Sequence, residues 1–96
     1  MRVISGSSKG KKILDPKDLN TRPLKDLTKE SIFNILNHSN KFSIRLPNSN
    51  VLDLFSGVGS FGLECLSRGS SSLTFVENYN NVLPILKKNI FNLNYQ

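Results

Sequence analysis

Two carboxylates flank a glycine bend in this chain: Asp53 lies four residues before Gly57, and Glu77 lies 18 residues after Gly59. The bend belongs to the stretch Asn50 to Gly62, N-V-L-D-L-F-S-G-V-G-S-F-G. Val51, Leu52, Leu54 and Phe55 form a short apolar run bounded by turn residues, the pattern of a strand buried on both faces of a parallel sheet. Gly57, Gly59 and Gly62 then predict a backbone that makes a tight turn, approaches a ligand closely and opens a helix whose first amides point outward. Such an arrangement is a cradle for a nucleoside-containing cofactor.

The spacing G-x-G-x-x-G alone would suit a dinucleotide, so the choice of ligand rests on the acids around it. With a pyrophosphate about 5 Å away and an effective dielectric of ~20, Asp53 would meet a repulsion of roughly 3 kcal/mol per phosphate charge. A ligand carrying an ammonium and a sulfonium turns the same interaction into attraction, so Asp53 favours S-adenosyl-L-methionine over NAD. Ser72 to Val76 is a second apolar run ending at Glu77. In a β-α-β unit it pairs beside the first strand, which brings Glu77 to the same sheet edge, where an acid can accept both hydroxyls of a ribose. Glu77 fits either cofactor. The backbone from Ser56 to Gly59 is placed for the methionine carboxylate, and Phe55 suits the floor of the pocket or the protein core equally.

The elements that must hold these groups are legible in outline. Arg2 to Ser5 and Lys11 to Leu14 are β-prone runs separated by Gly6-Ser7-Ser8-Lys9-Gly10, which predicts a hairpin with a basic, flexible loop. Pro23 suits the first position of a helix with an apolar stripe of Leu24, Leu27, Ile32, Ile35 and Leu36, ending near Asn37. After the bend, Phe61, Cys65 and Leu66 share one face of a helix that Gly69 can terminate in a left-handed cap. Following the second strand, Asn78 to Asn81 offers capping side chains for a last helix starting near Asn81, with Pro84 in its first turn and Val82, Leu86, Ile90 and Leu93 as its stripe. The predicted class is α/β and Rossmann-like: an N-terminal β-hairpin, a helix, then β-α-β-α.

Charge is unevenly shared. The formal net charge is +6, and residues 1–50 carry ten Lys or Arg against four Asp or Glu, whereas residues 51–96 carry three against three. Arg2, Lys9, Lys11 and Lys12 stand in the first twelve residues without an acid. A basic arm joined to a neutral cofactor unit suits a polyanion such as RNA, although a solvated lysine-rich surface accounts for the charge as well. Arg22, at the start of the predicted first helix, could face RNA phosphate, the cofactor carboxylate or solvent. Cys65 is the single cysteine, which excludes an internal disulfide and a cysteine-cluster metal site; its setting suggests a buried small hydrophobe. His38 has no nearby residue to complete a metal site or a nucleophilic pair, and no metal is expected. No apolar run approaches the ~20 residues of a membrane span and the N-terminus lacks a signal-peptide core, so the chain reads as cytoplasmic.

Asp53-Leu54-Phe55-Ser56-Gly57-Val58-Gly59, with Leu63-Glu64, Ser67-Arg68-Gly69 and Phe75-Val76-Glu77, resembles the amino-terminal half of the RsmD-type small-subunit ribosomal RNA guanine methyltransferases. The likeness continues upstream through Arg2 to Gly6, Lys9-Gly10, Thr21-Arg22-Pro23, Asp26, Lys29-Glu30 and Phe33 to Leu36. It implies a class I methyltransferase fold, with residues 1–22 as a basic hairpin and loop and 23–96 as the amino-terminal half of the cofactor-binding domain. It also implies S-adenosyl-L-methionine-dependent methylation of a guanine exocyclic amine in small-subunit rRNA, with the hairpin engaging ribosomal RNA or the small subunit. Leu27 departs from the arginine usual in that family. The family's Asn/Asp-Pro-Pro-aromatic loop, which orients the acceptor base, does not occur in this sequence, so no catalytic residue is assigned and the 96 residues are expected to be a fragment. A noncatalytic RNA-binding remnant and a nicotinamide-dependent oxidoreductase are the alternative readings.

Overall fold

The structure is a computed structural model in which residues 1–16, 25–38, 45–54 and 56–95 are described. The described elements are α1 (Asp26–His38), β1 (Asn50–Leu54), α2 (Ser60–Ser67), β2 (Ser72–Val76) and α3 (Leu83–Asn92). The strands β1 and β2 pair in parallel with Asn50 opposite Ser72 and Leu54 opposite Val76, and α2 makes the crossover between them. The order is that of the β-α-β-α unit expected, preceded by α1.

The amino-terminal residues form a rudimentary hairpin. Arg2 and Lys12 make one antiparallel bridge, the Val3 amide donates to the Lys11 carbonyl at 2.9 Å, and Gly6 and Gly10 take φ of 90° and 83° to turn the chain. The loop between them is clamped rather than free. Ser7 N–H donates to the Ser67 carbonyl at 2.8 Å, Ser8 N–H donates to Ser67 Oγ at 2.9 Å, and Ser8 Oγ lies 2.8 Å from the Tyr95 hydroxyl. A Cβ on Gly6 would run into the Ser67 carbonyl, so only glycine lets the arm lie this close to the end of α2. Val3 and Ile13 are fully buried in one cluster with Val58, Leu63, Val82, Ile85 and Leu93, so the arm shares its core with the glycine bend, α2 and α3.

Three further expectations need correction. The strands are covered on one face only. Val51, Asp53, Leu73 and Phe75 face α2, whereas Leu52, Leu54 and Val76 on the other side are 62%, 56% and 46% exposed. A continuous apolar run signals two buried faces only where something packs on both, and among the described residues nothing does so here. The stripe of α1 is also out of phase. Leu27 and Ile35 are 76% and 56% exposed, while Lys29 and Phe33 are fully buried with Ile32 and Leu36 half-buried beside them. The buried row is thus 29, 32, 33, 36, and its lysine disguised it; Leu24 lies outside the described residues. Finally, α3 is capped by Val82 with no side-chain hydrogen bond, because a turn of Tyr79 to Val82 closed by backbone bonds takes the place of an asparagine cap. Pro84 does sit in its first turn.

The helix α2 is enclosed nearly all round. Gly62 meets the sheet, where a Cβ would lie 2.6 Å from the Phe75 ring and 2.7 Å from Leu73 Cδ2. Phe61 stacks on Phe33 with centroids 4.8 Å apart, Cys65 joins the cluster of Phe33 and Leu46, and Leu63 enters the cluster shared with the arm. Gly69 ends the helix at φ 107°, and the Ser70 amide reaches back to the Cys65 carbonyl at 3.1 Å.

Candidate cofactor site

The bend runs from the end of β1 into α2, and each glycine has its own reason to be one. Gly57 takes φ 57° and faces open space, since a Cβ there would meet nothing within 4 Å. Gly59, at φ 93°, would place a Cβ 2.6 Å from Leu86 Cδ1, so its bare backbone serves the packing of α3. Gly62 lets α2 settle on the sheet beside Asp53, with its Cβ position 3.1 Å from Asp53 Oδ2. Of the three, Gly57 alone would add its Cβ to open space.

Asp53 lies opposite Phe75 on the sheet face turned toward α2. Its Oδ2 is buried and has no hydrogen-bond partner among the described residues. Burial pushes its pKa above the ordinary 3.8, the nearby Gly62 amide offsets part of this without closing a hydrogen bond to Oδ2, and the charge of Glu77 raises it further. A buried acceptor with no donor is costly unless a ligand supplies one.

Glu77 stands at the carboxyl end of β2 against the bend. Its Oε1 accepts the Gly57 N–H at 2.7 Å and its Oε2 accepts the Tyr79 N–H at 3.1 Å. Each oxygen retains a second lone pair, so both can still accept a hydroxyl. Ser56 staples the strands: its Oγ donates to the Asp53 carbonyl at 2.8 Å, its N–H donates to the Val76 carbonyl at 3.0 Å, and the Val76 N–H donates to its Oγ at 3.0 Å. Between Ser56 and Gly59 most amides are therefore already engaged, that of Gly59 by the Ser56 carbonyl at 3.0 Å. The Val58 amide has no acceptor among the described residues. Phe55 and Arg22 lie outside the described residues.

The proposed RNA contacts lie on the surface of the arm. Arg2, Lys9, Lys11 and Lys12 are all exposed, with Arg2 Nε 3.9 Å from Asp26 Oδ2. Lys12 and Lys88 of α3 border a cavity of about 320 Å³ with Leu14, Asp15, Pro84 and Ile85. Cys65 is buried as expected, and burial together with the neighbouring Asp53 and Glu64 charges pushes its thiol up to about 12. His38 is exposed at the end of α1. Among the described residues no group of three or more His, Cys, Asp or Glu could hold a metal ion, and no helix is long and apolar enough to cross a membrane.

The sequence reading missed a buried polar cluster beside the bend. Glu64 and Lys29 are both fully buried and paired at 3.3 Å, and Arg68 Nε donates to Glu64 Oε2 at 2.8 Å. The same Glu64 carboxylate accepts the Ile4 and Ser5 amides at 2.8 and 3.0 Å, while Lys29 Nζ donates to the Arg2 carbonyl at 2.8 Å and to Ser60 Oγ at 3.0 Å. The pair Glu64 and Arg68, spaced i, i+4 on one helix, was the visible sign.

Comparison with known proteins gives a consistent result. The sequence matches the family described as Conserved hypothetical protein 95 over residues 1–96. It is 37% identical over 92 residues to Ribosomal RNA small subunit methyltransferase D of Buchnera aphidicola, covering 96% of this chain and 45% of that protein. The Escherichia coli K12 protein of the same name is 33% identical over 93 residues, covering 97% and 44%. The chain thus spans slightly under half the length of these curated relatives. Among solved structures, Escherichia coli yhhF, named as a methyltransferase, superposes with TM-score 0.78 at 34% identity over 98% of this chain and 48% of that one. Thermus thermophilus TTHA0928 gives TM-score 0.77 at 26% identity over 98% and 50%. With a family match along its whole length and relatives that share both its sequence and its fold, this chain belongs to the RsmD family, described as Conserved hypothetical protein 95.

Proposed function

We propose that this chain forms the S-adenosyl-L-methionine side of an RNA methyltransferase acting on a guanine exocyclic amine of small-subunit rRNA. The observation that carries the reading is the buried, partnerless oxygen of Asp53, set near Glu77 at the rim of the bend. A buried carboxylate with a second acid close by makes a rim suited to a cation and hostile to a pyrophosphate. The residues fit the cofactor. Asp53 would accept from its ammonium, Glu77 would accept its ribose hydroxyls through the free lone pairs, and Gly57, where a side chain would point into open space, would let the ligand approach the backbone. The Val58 amide and the N-terminal end of α2 would take its carboxylate.

Bound there, the cofactor supplies a sulfonium methyl for in-line attack by the acceptor amine. The chain's contribution is to hold and orient the cofactor, and positioning can supply a large share of the rate when both reactants are held in place. The names of the relatives point to small-subunit rRNA, and the exposed Arg2, Lys9, Lys11 and Lys12 would give salt-sensitive phosphate contacts. Such a substrate implies work in the cytoplasm. Acceptor orientation belongs, by family resemblance, to a loop this chain does not carry. Isothermal titration tests the cofactor assignment: S-adenosylhomocysteine should bind and NADH should not, and the reverse result overturns the reading.

A further inference from the structure

Two buried polar side chains each touch both the basic arm and the glycine bend, one from α1 and the other from α3. Lys29 of α1 donates from Nζ to the Arg2 carbonyl at 2.8 Å and to Ser60 Oγ at 3.0 Å. Asn89 of α3 donates from Nδ2 to the Val58 carbonyl at 2.8 Å and to the Leu14 carbonyl at 3.2 Å, and its Oδ1 accepts the Leu14 N–H at 2.8 Å. Val58 and Ser60 flank Gly59, while Arg2 and Leu14 belong to the two limbs of the hairpin. Glu64 completes the first tie by holding Lys29 and accepting the Ile4 and Ser5 amides.

We infer that Lys29, with its partner Glu64, and Asn89 are positioning residues: they bracket the glycine bend and fix the basic arm in register with the cofactor site. Apolar side chains of similar volume would fill the same space without burying charge, and replacing a buried ion pair by such groups is often neutral or stabilising. What apolar groups cannot do is aim. Six of these hydrogen bonds end on backbone atoms of the arm or the bend, so they define distance and direction between the lysines that meet a polyanion and the loop that meets the cofactor. The inference rests on the RNA-methyltransferase reading for what the arm engages, but not for the bracket itself.

The test uses the whole chain and two variants, Lys29→Met/Glu64→Gln and Asn89→Leu, which leave Arg2, Lys9, Lys11 and Lys12 untouched. Amide exchange reads the bracket. In the first variant at least one of the Ile4 and Ser5 amides, since glutamine keeps a single accepting oxygen, and in the second the Leu14 amide, should exchange about tenfold faster or more, with the Leu63 and Leu86 amides of α2 and α3 nearly unchanged. Binding reads its purpose. Affinity for a small-subunit rRNA fragment should fall about tenfold in each variant while affinity for heparin, which reads charge alone, stays within about twofold. Arm amides that keep their protection in both variants, or arm and helix amides that accelerate together in both, overturn the bracket. Equal losses of RNA and heparin affinity overturn its positioning role. A parent chain that binds heparin but not rRNA refutes the RNA reading instead, and the exchange result then stands by itself.

Discussion

Asp53 is held in an environment that disfavours its charge, and that is an argument about ligand as much as about stability. Its buried Oδ2 finds no donor among the described residues, and Glu77 lies close enough to raise its pKa. Removing the charge should help the empty chain and harm the occupied one. Asp53→Asn is expected to raise stability by about 1 kcal/mol in denaturant unfolding and to weaken S-adenosylhomocysteine by about tenfold, the worth of one charge-assisted hydrogen bond. Lower stability together with unchanged affinity would show that the carboxylate is structural. Cys65 makes the opposite kind of case. It is 1% exposed with its thiol pushed up to about 12, so iodoacetamide should modify it only as fast as the chain opens, and modification should speed up with denaturant. Modification at the rate of a free thiol in native buffer would contradict its burial between α1, α2 and β1.

At the scale of elements, the parts written in local sequence were legible and those written in distant contacts were not. The strand β2 ends at Val76 and the bend opens α2 as Ser72 to Glu77 and Gly57 to Gly62 suggested, because turn residues bound short apolar runs there. The face of α1 was misread because Lys29 counts as polar in any periodicity, although Phe33 one turn later shares its burial. Only the arrival of Glu64 from α2, 35 residues along the chain, turns that position inward. The one-sided cover of the sheet was illegible for the same reason, since Leu52 and Leu54 look alike whether or not a layer faces them. Within the site, spacing located the bend and both acids, but not that Gly59 serves α3 and Gly62 serves the sheet. Gly62→Ala tests that division of labour. Its new Cβ would fall 2.6 Å from the Phe75 ring and 2.7 Å from Leu73, so the variant should lose about 1–3 kcal/mol of stability by overpacking. Gly57→Ala meets no such clash and its cost should be confined to backbone strain at positive φ.

Across the whole molecule the two buried acids pull stability in opposite directions as pH changes, which makes them separable in one experiment. Burial alone would raise the pKa of Glu64, but the Ile4 amide, the Arg68 guanidinium, the Ser5 amide and Lys29 together hold it below the ordinary 4.5. Its contribution is therefore fully present above 4.5 and is lost as pH falls toward the folded value, where the native state also takes up the proton. Asp53 runs the other way. Its folded pKa lies above 3.8, so the native state takes a proton first and gains relative stability as pH falls into that window. Denaturant midpoints taken from about pH 7 to about pH 3 should fall on acidification in the parent chain, fall less in Lys29→Met/Glu64→Gln, and fall more steeply in Asp53→Asn. If the three profiles were parallel, neither acid would govern the acid response, and the picture of a charged clamp on the arm beside a carboxylate short of a donor in the glycine bend would fail on both sides. If only the Asp53→Asn profile differed, the electronegative rim would survive and the tie between arm and α2 would be reduced to packing.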